Sequence, residues 1–314
     1  MSGASQTAFL FPGQGSQQVG MGRDLAALYV AARRLYEQAD EVLGFALSRI
    51  CFEGPAEKLN DTINTQPALF VTSLAVLEVL GAQDRLPVAS MMAGHSLGEL
   101  TALAAAGAMT FADGLRLVRE RGRLMKLAGE RAPGGMAAVL KMGDEAVDRA
   151  CRRAQEEVGA PVQIANYNSP GQVVISGDRA ALDRAVELLR EQGGRRIVPL
   201  AVSIAAHSPL MAPVVGEYRA AIDTTPIRAP QVPVVGNISA RPMLDAGEVR
   251  DELAGQLTWP VRWTASVEWM VEQGVTRFVE LGPKDVLSKL VGRIAPDVER
   301  VSVGDAAGVI AFAP

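Results

Sequence analysis

The spacing of apolar residues divides the chain into alternating strand-like runs and amphipathic helical stretches. An apolar run over 7–11 predicts a first strand, followed by helices over about 21–42 and over 67–80. A second apolar run, 88–93, gives way to a helical run over 97–106, and residues 113–130 again repeat at helical spacing. From Gly135 strands become denser: the pattern predicts strands over 136–142, 162–167, 172–176 and 196–200, with helices over 144–158 and 179–192. That β-α-β-β-α-β order is the ferredoxin-like arrangement. Beyond it the pattern predicts a helix over 211–222, a strand over 232–237, a helix over 267–273, a strand over 277–280 and a last helix over about 285–294. The tail, 304–314, reads as loosely held.

One junction in this pattern carries chemistry. Gly94-His95-Ser96-Leu97-Gly98 places a serine between two glycines where an apolar run turns into a helix. Such a turn is strained and needs small neighbours, and it pushes the hydroxyl out at the positive end of the helix, where free N–H groups can hold an oxyanion. The pattern alone is also met as a coincidental Gly/Ser turn. The fold class expected is α/β, with an α/β-hydrolase-like large domain over 1–132 and 201–314 and an inserted ferredoxin-like small domain over 133–200.

The chain has two histidines, His95 and His207. His95 adjoins the serine on a turn that sends successive side chains in different directions, which leaves His207 as the general base. It lies in a small-residue stretch, 203–211, that reads as a loop after a strand over 197–202. A lone histidine is more often structural; pairing with a nucleophile elbow in a histidine-poor chain reverses that preference.

At this point the residues resemble the malonyl-CoA:acyl carrier protein transacylases and the related acyltransferase domains of polyketide synthases. The resemblance runs nearly end to end, through Phe11-Pro12-Gly13-Gln14-Gly15-Ser16-Gln17, Thr65-Gln66-Pro67, the serine elbow, Arg121-Gly122-Arg123-Leu124-Met125, Asn168-Ser169-Pro170-Gly171, His207-Ser208-Pro209, Gln256-Leu257 and Glu280-Leu281-Gly282-Pro283. It implies a Ser96–His207 dyad with the imidazole oriented by a backbone carbonyl near Gln256, and an oxyanion hole from the N–H groups of Gln14 and Leu97. It further implies malonyl-CoA and a phosphopantetheinyl acyl carrier protein as substrates and partners, no cofactor or metal, and a monomer.

Arg121 is reached independently. At about 100° per residue, Leu117, Val118, Leu124 and Met125 fall within about 60° of it, so it sits mid-way across the apolar face of its helix. Arg116, Arg119, Arg123 and Lys126 point away and read as a solvated basic face. A core-facing arginine needs an anion, either an internal carboxylate or, as the resemblance implies, the free carboxylate of a malonyl group. The remaining substrate-facing candidates are Gln256, Met125, Ala206 and Asn168, although Asn-Ser-Pro-Gly is equally good turn chemistry. Malonyl-selective polyketide acyltransferases often carry phenylalanine where this chain has Ala206, so methylmalonyl or another acyl group is an alternative substrate.

Composition narrows the classes further. A hydrophobic content of 48% with only 5% aromatic residues describes an aliphatic, helix-rich α/β protein, and a net charge of −4 gives no overall field for nucleic acid or anionic membrane. Cys51 and Cys151 lack metal spacing and suit a reducing cytoplasm. No basic-then-apolar leader and no apolar run of membrane-spanning length stand out. The competing readings are a serine thioesterase or hydrolase, which would usually orient its histidine with an acid, and a non-catalytic carrier-docking subunit.

Overall fold

The computed structural model describes residues 6–200, 202 and 204–314. Ala201 and Ser203, at the end of the expected strand and the start of the His207 loop, lie outside the described residues. Among the described residues ten strands form two sheets: β1 (Gln6–Phe11), β2 (Ala89–Gly94), β3 (Gly134–Leu140), β4 (Val162–Ser169), β5 (Gln172–Asp178), β6 (Arg196–Pro199), β7 (Val234–Val235), β8 (Pro242–Met243), β9 (Val275–Leu281) and β10 (Glu299–Val303). The larger sheet has the order β10-β9-β1-β2-β7-β8, parallel except for β8.

The central strand β1 is apolar at nearly every position because both of its faces are covered, as parallel strands require. Phe9 and Phe11 point into the core shared with helices Thr62–Ala82 and Phe111–Arg131, while Ala8 and Leu10 point into the opposite core with Trp263, Val267 and Phe278. The smaller sheet is antiparallel in the order β4-β5-β3-β6, and its apolar core draws its fully buried residues from between 137 and 189. The molecule is thus an α/β-hydrolase-like unit with a ferredoxin-like one. The two are joined by backbone bonds, Tyr167 N–H donating to Val261 O at 2.9 Å and Val261 N–H to Ala165 O at 2.8 Å.

Several expected elements differ. The helix expected over 21–42 is two, Arg23–Leu28 and Val30–Leu43, broken at an extended Tyr29. Leu25, Ala32, Tyr36 and Ala39 would share one face across the break, so periodicity carries no sign of it. The helix expected to start at Pro67 starts at Thr62, capped by Asp61, and runs through the proline to Ala82. Proline removes the donor for the carbonyl four residues back. That carbonyl, Ile63 O, instead accepts from Arg119 Nη1 at 2.5 Å, so Arg119 is not a solvated surface charge. By length and composition this helix could also cross a membrane, contrary to the reading that no such run exists. Its hydropathic window is 78% buried inside the protein, where neutral Thr, Asn, Gln and Ser side chains had masked it in sequence.

The strand expected over 232–237 shrinks to Val234–Val235, and helices Leu47–Glu53, Ala56–Asn60 and Ala246–Gly255 were not anticipated. The tail is not loose. It supplies helix Ala306–Ala311, buries Ala306, Val309 and Phe312, and is pinned by Arg85, which donates to the carbonyls of Val309 (2.8 Å), Ile310 (3.0 Å) and Phe312. Phe312→Ala should therefore cost about 3 kcal/mol in a urea melt, whereas a loosely held tail would give less than about 0.5 kcal/mol.

Candidate active site

The nucleophile turn is built by contact as much as by sequence. Ser96 has φ 53° and ψ −109°, strained for a residue with a side chain. A Cβ on Gly94 would lie 1.9 Å from Gly98 C and O, and one on Gly98 would lie 1.9 Å from Phe11 O, so strand and helix meet without side chains between them. Two amides hold the strained residue. Asn237 Oδ1 accepts from Ser96 N–H at 2.7 Å while its Nδ2 donates to Gly94 O at 2.7 Å, and Gln256 Nε2 donates to Ser96 O at 2.9 Å.

The His207 ring lies across this turn. Its Nε2 is 2.8 Å from Ser96 Oγ, and its Nδ1 is 2.7 Å from Gln256 O. A carbonyl only accepts, so Nδ1 carries the hydrogen and Nε2 offers its lone pair to the serine hydroxyl. Burial, and secondarily the positive charge of Arg121, push the imidazolium pKa down to about 3. His207 is therefore a neutral base throughout the physiological range. Gln163 of β4 donates to His207 O at 2.8 Å, which ties the loop to the small sheet.

Arg121 is only 1% exposed, yet no carboxylate is among its hydrogen-bond partners. Nε and Nη2 donate to Gln256 Oε1 at 3.1 and 2.8 Å, Nη1 to Gln66 Oε1 at 2.7 Å, and Nη2 to Ser96 Oγ at 3.1 Å. Burial lowers its pKa, opposed by Tyr218 and Glu99. The internal salt bridge, the alternative open in the sequence, is not formed.

These groups face a cavity of about 330 Å³ between the two sheets. Ser96, His207, Arg121, Gln14, Leu97, Met125 and Ala206 line it from the large unit and Asn168 from the small one. Among the described residues, the backbone N–H groups of Gln14 and Leu97 have no hydrogen-bond partner, which leaves both available to an oxyanion. Asn168 sits on β4 and its Oδ1 accepts from His95 Nε2–H at 2.8 Å; the turn chemistry comes after it, at Pro170-Gly171, with Gly171 at φ 71°. His95 packs its ring 5.6 Å from Trp263 and does not reach the serine hydroxyl.

One expectation is corrected. Gln256 is completely buried behind Arg121 and His207 and does not line the cavity, because all its polar atoms are committed to protein partners. Three residues were not anticipated as part of the site: Gln66, Asn237 and Glu99. A carboxylate in the apolar run 97–106 was the one visible signal, since such a group is rarely buried without a reason.

The chain matches the family described as acyl transferase domain over residues 8–310. It belongs to that family. It is 44% identical over 301 residues to the malonyl CoA-acyl carrier protein transacylase of Bacillus subtilis, covering 96% of this chain and 94% of that one. The crystal structure of an acyl carrier protein S-malonyltransferase from Vibrio cholerae superposes with a TM-score of 0.93 at 42% identity, covering 98% of this chain and 99% of the other. A malonyl-transacylase solved in complex with its type II PKS acyl-carrier protein gives 0.94 at 40% identity, with 98% of each chain covered.

The depressed His207 pKa has a consequence for this acyltransferase's stability. Unfolded, the imidazole titrates near 6.5; folded, it stays neutral down to about 3. Within that window the unfolded state binds more protons, so stability falls as pH drops. Urea melts at about pH 7 and about pH 5 should show the parent losing up to about 1.4 kcal/mol per pH unit relative to His207→Ala. Equal pH dependence in the two proteins would contradict the buried neutral imidazole.

Proposed function

We propose that this chain is an acyl carrier protein S-malonyltransferase, moving malonyl from malonyl-CoA to the phosphopantetheine thiol of an acyl carrier protein through a malonyl-serine ester. The observation that carries this reading is Arg121: a buried guanidinium with neutral hydrogen-bond partners, 3.1 Å from the candidate nucleophile, on the wall of a cavity of about 330 Å³. A desolvated cation hydrogen-bonded to no protein carboxylate calls for one from the substrate, and the guanidinium fork fits it bidentately.

The steps follow from the geometry. Ser96 Oγ attacks the thioester carbonyl as its proton passes to His207 Nε2. The tetrahedral oxyanion takes the free N–H groups of Gln14 and Leu97. Collapse expels CoA thiolate, which takes the proton from His207. The carrier's thiol then loses its proton to His207 and attacks the ester; the second tetrahedral intermediate collapses by breaking the bond to Ser96 Oγ, which takes that proton back from His207. Both half-reactions exchange acyl groups between thioester and ester, so the route draws on no metal or redox cofactor.

Orientation of the imidazole by a carbonyl, instead of a carboxylate, favours transferase over hydrolase, since His207 lacks the acidic partner common in hydrolases. The half-buried Ala206 beside the cavity leaves methylmalonyl as the second substrate to be tested. A cytoplasmic monomer acting without membrane or nucleic acid completes the proposal, and the two buried free thiols suit that compartment.

Incubation of the protein with malonyl-CoA should add one malonyl group, read by intact-mass spectrometry. Ser96→Ala should abolish the adduct, and His207→Ala should slow its formation by roughly 10²- to 10⁴-fold; an adduct at the parent rate in His207→Ala would remove the dyad. Arg121→Ala should lower malonyl transfer by at least about 10-fold while raising activity toward acetyl-CoA relative to malonyl-CoA. Equal loss for both acyl groups together with a lowered melting temperature would make Arg121 structural instead.

A further inference from the structure

Gln256 occupies the centre of the site without touching the cavity. Its side-chain oxygen takes two N–H groups of Arg121, its backbone oxygen takes His207 Nδ1–H, and its Nε2 donates to Ser96 O and to Glu99 Oε2. An amide flipped by 180° would turn N–H groups against the guanidinium, so everything downstream depends on which end of this amide faces which partner. Glu99 is one of the two acceptors that fix that choice. Its other oxygen, Oε1, accepts at 2.8 Å from the backbone N–H of Asn237, whose side chain holds Ser96 N–H and Gly94 O. Glu99 is completely buried and lies three residues after the nucleophile on the helix that follows it.

We propose that Glu99 is a positioning residue for acyl transfer, joining Asn237 and Gln256 so that the Ser96 turn, the His207 ring and the Arg121 fork are held in one register. It reaches no substrate atom and acts through those two side chains. Burial, and next the neighbouring carboxyl of Glu252, push the Glu99 carboxyl well up from its ordinary range, while Asn237, Gln256 and Arg121 oppose the shift. Burial pushes the Glu252 carboxyl up as well, opposed by hydrogen bonds from the backbone of Ile238 and Ser239. Glu99 makes no direct hydrogen bond to the guanidinium and meets it through Gln256, so it orients the amide without occupying the fork of Arg121.

The inference rests on the malonyl-transfer reading, and the test separates the two. Both oxygens of Glu99 accept hydrogen bonds from N–H donors, whereas Glu99→Gln offers a single acceptor and sets an amide N–H against either Asn237 or Gln256 at nearly unchanged volume. Rates of Ser96 acylation from malonyl-CoA and acetyl-CoA are measured for the parent, Glu99→Gln, Gln256→Ala and the double variant, with melting temperatures. We expect Glu99→Gln to lower malonyl kcat roughly 10- to 100-fold and to lower the malonyl-to-acetyl ratio. In the Gln256→Ala background, Glu99→Gln should leave that ratio unchanged, since the link to Arg121 is already gone. If the glutamine variant does not fold, Glu99→Asp, one methylene shorter, is read in the same way. A folded variant with the parental ratio, an equal further drop of the ratio in the Gln256→Ala background, or failure of both variants to fold overturns the positioning role. A parent that takes up no malonyl group overturns the proposed function itself.

Discussion

The site is organised around a guanidinium taken out of water and hydrogen-bonded only to neutral groups. Desolvating a cation costs several kcal/mol even after relaxation, and it is tolerated where hydrogen-bond acceptors surround the group. Gln66, Gln256 and Ser96 supply those acceptors for Arg121 and are all neutral. Neutral dipoles satisfy the donors without cancelling the charge, which leaves an electrostatic deficit that a substrate carboxylate can fill. Had Gln66 or Gln256 been a glutamate, the same cavity would hold a closed internal ion pair.

The second constraint is the Ser96 turn. Its backbone sits in a sparsely populated region, and such strain persists only where the surroundings over-determine it. Asn237 and Gln256, from distant parts of the chain, bind its N–H and its carbonyl, so the strain is held by groups that also place the other reactive atoms. The small sheet closes the arrangement: Gln163 holds the His207 backbone and Asn168 meets His95, while β3 adds Met136 and Ala138 to the cavity wall. The acyl site is therefore a property of both sheets.

Residues whose chemistry is local were legible in the sequence. Ser96 could be found because its strain demands glycines nearby, His207 because only two histidines exist, and Arg121 because helical period puts a charge on an apolar face. The ferredoxin-like unit was legible because its core is closed within one stretch of chain. The amide braces were not, since Asn237 and Gln256 meet Ser96 across 141 and 160 residues and nothing beside them in sequence announces it. The continuation of a helix through Pro67 was hidden for the same reason, because the carbonyl it orphans is satisfied by Arg119 from another helix. The tail was misread because its short helix, Ala306–Ala311, offers too few turns for an apolar face to stand out among small residues, and Arg85 from a distant part of the chain holds it in place.

The closeness of Arg121 to His207 connects selection with catalysis. In the free site the arginine's charge is one of the two leading reasons, after burial, that the imidazole resists protonation. A base held near pKa 3 is a weak one for abstracting a serine proton. On the malonyl reading, a substrate carboxylate seated on Arg121 cancels much of that charge, and by Coulomb's law in a poorly screened cavity the proton affinity of His207 must rise. An acetyl group fills the same space without a charge and leaves the imidazole as depressed as before. The carboxylate then contributes twice, once by binding and once by strengthening the base that attacks beside it, so a dicarboxylic acyl chain is favoured in the rate of acylation as well as in affinity.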